Sequence, residues 1–133
     1  MSRSTSEVEA LLQRVQQTQH GFTDILRASN ELIATKTPDE CLHLAHALFA
    51  SPSHQARMLA TYLFGSLAAT HETCLQFMKT EISQDANWRV QEILAQAFDQ
   101  YCHDTGHSYS SSAYADLRYF SYTGIYRVTD TLF

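Results

Sequence analysis

Ala56, Leu59, Ala60, Leu63, Phe64, Leu67 and Ala68 recur at steps of three and four, and Val90, Ile93, Leu94, Ala97, Phe98 and Tyr101 repeat the pattern. Such steps keep side chains on one side of a 3.6-residue helix, so each run predicts a helix with a wide apolar stripe that another element must cover. Val8, Leu11, Leu12 and Val15 form a shorter stripe of the same kind, and a weaker one follows in GFTDILRASNELIA. In TPDECLHLAHALF, Thr37 stands as an N-cap, Pro38 at the first helical position and Glu40 three residues after the cap, the sequence of a capping box. Helical spacing runs to about residue 102, and 133 residues of which 44% are apolar can bury one core.

The helices also repeat. ECLHLAHALF is similar to TCLQFMKTEI about 33 residues later, and RMLATYLF to EILAQAFD about 35 later, so a helix pair recurs with a slightly longer loop. The expected fold is all-α, a HEAT-like α-solenoid of stacked antiparallel helix pairs over residues 1–106. A tetratricopeptide array has a similar period, but its tryptophan, Leu-Gly and tyrosine positions are not in register here. From residue 107 the text changes: HSYSSSAYADLRYFSYTGIYRVTDTLF carries five of the seven tyrosines and no helical period. Residues 107–133 read as an irregular tyrosine- and serine-rich tail, with a short hairpin near Thr123 and Gly124 as an option.

Composition narrows the function classes. Neither end reads as a sorting signal and no run of about 18 apolar residues occurs, so the expectation is a soluble, cytoplasmic protein with no membrane partner. Cys41, Cys74 and Cys102 are an odd, unclustered set, which fits buried free thiols in a reducing compartment. A formal charge of −5 argues against a strongly basic nucleic-acid binder, so DNA binding would need a local basic patch. Arg57 and Arg89 are the candidates for that patch, against the plainer reading of solvated or salt-bridged arginines.

The single tryptophan, Trp88, opens the second strong helix, with Glu92 one turn later. At about 100° per residue both fall roughly opposite the apolar stripe. The matching positions of the preceding repeat are His54, Met58, Thr61 and Gly65, and side-by-side stacking of the two helices would make one continuous face carrying Trp88 and Glu92. An indole ring attracts a cation by roughly 0.5 to 2 kcal/mol. A nearby carboxylate adds a full negative charge, so the pair suits a cationic ligand or transition state. The alternative is packing: Trp88 covers a neighbouring helix or the tail, and Glu92 is solvated or paired with Arg89.

HQARMLATYLFGSLA followed by NWRVQEILAQAFDQYC resembles the bacterial HEAT-repeat DNA alkylation-repair glycosylases, the AlkD-like family, over roughly residues 5–106. The resemblance implies a helical solenoid that holds duplex DNA on a concave basic surface and excises cationic N3- and N7-alkylated purines. It places Trp88 and Glu92 on the family's catalytic Trp-x-x-x-Asp pair, the indole against the damaged nucleoside and the carboxylate against the oxocarbenium-like sugar. Glu92 departs from that pattern by one methylene, and positioned catalysis is sensitive to such a shift. The later arginine and second tryptophan of the family do not follow Gly106. The sequence thus reads as the N-terminal part of such a protein joined to a different ending, which weighs against catalysis by this chain alone.

Other chemistry has less support. His43 with His46, His71 with Cys74, and His103 with His107 are two-ligand fragments, so no metal site is expected. No glycine-rich phosphate loop or Gly-x-Ser-x-Gly elbow occurs, and no cofactor is implied. Three functions remain: base excision on duplex DNA, a non-catalytic DNA-binding scaffold, and a protein-interaction or self-associating solenoid with an uncapped apolar end.

Overall fold

The computed structural model of the chain describes residues 3–16 and 22–105; the tail expected from residue 107 lies outside them. Among the described residues are six α-helices, a 3-10 turn and no strand. They are α1 (Arg3–Gln16), α2 (Phe22–Thr35), α3 (Pro38–Phe49), α4 (His54–Leu67), α5 (Glu72–Thr80) and α6 (Trp88–Thr105), with the 3-10 turn Ile82–Gln84 between α5 and α6. The α3–α4 pair begins at residues 38 and 54, the α5–α6 pair at 72 and 88, so both helices recur at one offset of 34. The repeated helix pair is therefore present, and the added loop length is taken up by the 3-10 turn.

The chain falls into two compact units that meet between Leu63 and Phe64, inside α4. In the first, α3 contacts both α1 and α2. Its start is the expected capping box: Thr37 Oγ1 accepts from the Glu40 N–H at 3.2 Å, and Glu40 Oε1 accepts from the Thr37 N–H at 2.9 Å. These bonds satisfy amide groups that the first helical turn leaves without partners. Val15, Ile25, Ala28, Leu44, Ala45 and Leu48 are buried. Arg14 joins α1 to α2 through two bonds to Glu31, at 2.8 and 3.1 Å, and Lys36 reaches Glu7 at 3.2 Å.

In the second unit, α5 and α6 both contact the 3-10 turn. The α6 stripe is where its spacing puts it: Val90, Ile93, Leu94, Ala97, Phe98 and Tyr101 are all buried. Phe64 stacks on Phe77 with ring centroids 4.5 Å apart. In α4, which the division between the units crosses, the stripe is buried as well, and so are Met58, Thr61 and Tyr62 off it in the first unit. Burial thus extends well beyond one stripe of α4, although Ser66 is exposed and His54, Gln55 and Arg57 are half-buried.

No helix among the described residues is long and apolar enough to cross a membrane. Cys41, Cys74 and Cys102 are free and buried, as their scatter suggested.

Candidate functional site

The site begins with the way α6 starts. The Asp85 carboxylate accepts from the Asn87 N–H at 2.9 Å, and Asn87 Oδ1 accepts from the Arg89 N–H at 2.9 Å. The Asn87 carbonyl takes the first intrahelical bond, from Gln91 at 3.2 Å, so Asn87 acts as the N-cap. Trp88 is thereby the first helical residue, where its side chain leaves the helix on the side away from the stripe.

Gln91 anchors the loop behind it. Its Nε2 donates to the carbonyls of Ile82 at 3.0 Å and Asp85 at 2.8 Å, across the segment that leads from the 3-10 turn into α6. The residue is 1% exposed, and its Oε1 is buried with no partner among the described residues. Sequence reading passed over Gln91. The available signal was a polar residue three before Leu94 and seven before Phe98, spacing that puts it on the core side.

Trp88 is 52% exposed, one of the three large apolar residues left open among the described residues. It is thus a surface residue rather than a packed one. The Arg89 guanidinium lies over its ring, with Cζ 5.0 Å from the centroid. Glu92, one turn along, is half-buried. Arg89 and Glu92 form no ion pair among the described residues, so the pairing considered from their spacing does not occur. The same short stretch therefore carries an open indole, a cation on its face and a carboxylate.

One expectation about the wider surface is corrected. Met58, at 2% exposure, and Thr61, at 0%, are inside the protein, as is Gly65, so these positions of α4 do not extend an open face. The reason is that burial on α4 extends beyond its apolar stripe, which the periodicity of one stripe cannot reveal. Arg57 is tied to its own loop: Nη1 donates to the carbonyls of Ser51 at 3.0 Å and Pro52 at 2.8 Å. It braces the turn between α3 and α4, a structural use of the guanidinium that competes with any contact to a phosphate. Among the described residues no group of three or more His, Cys, Asp or Glu could hold a metal ion.

No protein-family model matches the chain, and no curated protein matches its sequence. Solved structures do. The crystal structure of AlkD2 from Streptococcus mutans superimposes with a TM-score of 0.78 at 30% sequence identity, over 92% of this chain and 62% of that one. The fold is AlkD-like. A second structure, smu.31 from Streptococcus mutans UA159, matches with a TM-score of 0.73 at 26% identity over the same shares of the two chains. The chain spans 62% of the length of each of these structures. The AlkD-like fold accounts for the all-helical architecture and for the paired helices α3–α4 and α5–α6. It also agrees with the resemblance carried by the NWRVQEILAQAFDQYC stretch, most of which is α6.

Proposed function

We propose that this chain is a DNA alkylation-repair protein of the AlkD-like kind, with Trp88 and Glu92 as its lesion-recognising pair. The observation that supports this most is the exposed indole of Trp88, which already holds a cation over its ring. An N3- or N7-alkylated purine is a flat cation, and it would gain from the same quadrupole attraction. Glu92 would lie against the sugar, where excision develops positive charge, and a fixed carboxylate stabilises charge that appears only in the transition state. Arg89 would contact the phosphate backbone. Arg57, engaged with the Ser51 and Pro52 carbonyls, would brace the loop between α3 and α4.

A second reading keeps DNA binding without excision. It is favoured by glutamate at position 92, whose longer side chain shifts the carboxylate from the place that aspartate would occupy. The experiment that separates the two uses duplex DNA carrying an N7-methylated guanine. Trp88, the sole tryptophan, reports binding by fluorescence quenching, and base release reports chemistry. Repair predicts quenching that weakens with salt, and release that Glu92→Gln slows by about tenfold or more with little change in binding. Quenching without release selects the scaffold. Neither quenching nor release at low salt overturns both, leaving protein interaction as the use of the fold.

A further inference from the structure

We propose that Arg89 is the selectivity element of this site: it occupies the face of Trp88 in the free protein and leaves it when a phosphate draws it away. A cationic purine would then be accepted when it carries a phosphate and disfavoured when it does not. This rests on the reading of Trp88 as a cation-recognising surface.

The geometry behind it is local. The Arg89 guanidinium lies 5.0 Å from the ring centroid, inside the range over which a cation is held by an aromatic face. It rests there even though the Glu92 carboxylate stands three residues on, a spacing at which helix side chains can pair. The ring thus has an internal occupant with the charge of the proposed ligand. A second cation must displace it or approach the opposite face, where like charges repel across the ring.

Phosphate changes that balance. A guanidinium presents a flat fork of donors that matches phosphate oxygens two at a time, and such charge-assisted bonds exceed the ring contact in strength. Arg89 moving from ring to phosphate frees the face and cancels the repelling charge in one step. Free cationic bases and nucleosides lack the group that triggers the exchange. The site is thereby biased toward lesions still joined to a nucleic-acid backbone.

The test uses 7-methylguanosine and its 5′-monophosphate as probes of Trp88 fluorescence, in mildly acidic buffer that keeps the base cationic. In the native chain the monophosphate is expected to quench at about tenfold lower concentration than the nucleoside. Arg89→Gln should strengthen quenching by the nucleoside about two- to fivefold by vacating the ring, weaken that by the monophosphate, and so bring the two together. Arg89→Lys keeps the charge without the flat fork and should fall between. These variants keep the start of α6, because Arg89 contributes its backbone N–H, not its side chain, to the Asn87 cap. An unchanged ratio in Arg89→Gln, with alkylated duplex still quenching Trp88, overturns the role of Arg89 alone. Absence of quenching by both probes and by alkylated duplex overturns the role and the underlying reading together.

Discussion

Trp88 and Gln91 stand three positions apart on α6 and serve opposite ends: one is 52% exposed, the other 1%. Gln91 donates to two carbonyls where the chain turns from the 3-10 helix into α6: that of Asp85, and that of Ile82, which also accepts from the Asp85 N–H. Its amide therefore sets the position of the loop that delivers Trp88. Gln91→Ala removes both of these side-chain hydrogen bonds at a buried position, so it should cost about 1–3 kcal/mol. Chemical denaturation would measure this, and a change within about 0.5 kcal/mol, the usual range for surface substitutions, would show that the clamp is dispensable. The two arginines contrast in the same way. Arg57 spends Nη1 on loop carbonyls, while Arg89 lies on the indole.

At the level of elements, α4 and α6 approach each other tightly at Gly65 in the second unit. A Cβ built on Gly65 would lie 2.6 Å from Ala97 Cβ and 3.1 Å from its Cα. Neither of those atoms is at the end of a flexible side chain, so the helices themselves would have to move apart. Gly65→Ala should cost about 1–3 kcal/mol as overpacking, despite alanine's better helix propensity. Ala97→Gly should recover part of the loss in the double variant, because the two sites share one contact. Additive effects of the two substitutions in a double-mutant cycle would show that the strain lies elsewhere.

For the molecule as a whole, the buried thiols tie stability to alkaline pH. Burial pushes the Cys74 thiol from 9.0 up to about 11. It raises Cys41 and Cys102 as well. Unfolding returns each to its ordinary value, so between those limits the unfolded chain holds fewer protons than the folded one. The contribution of Cys74 is fully present below pH 9 and is lost as pH rises toward about 11. Stability measured by denaturation should thus fall along the alkaline limb, and Cys74→Ala should flatten that limb. An identical limb in the variant would remove Cys74 as its cause. At neutral pH the same burial should keep all three thiols unreactive until the chain unfolds.

The helices themselves were legible without a structure. The stripes of α4 and α6, the Thr37–Glu40 box and the 34-residue recurrence all depend on neighbours a few positions away, and so did the placement of Trp88 off its helix's apolar stripe. Periodicity and capping are local chemistry, which a linear text records. The tertiary structure decided what lies against what. It buried Met58 and Thr61, turned Arg57 onto the Ser51 and Pro52 carbonyls, and set Gln91 across the loop from Ile82 to Asp85. It also put Arg89 over the indole rather than beside Glu92, and Gly65 against Ala97. Each of these outcomes depends on packing and on competing partners in three dimensions. The order of residues along a helix states which sides are apolar, but not which of them another element will cover.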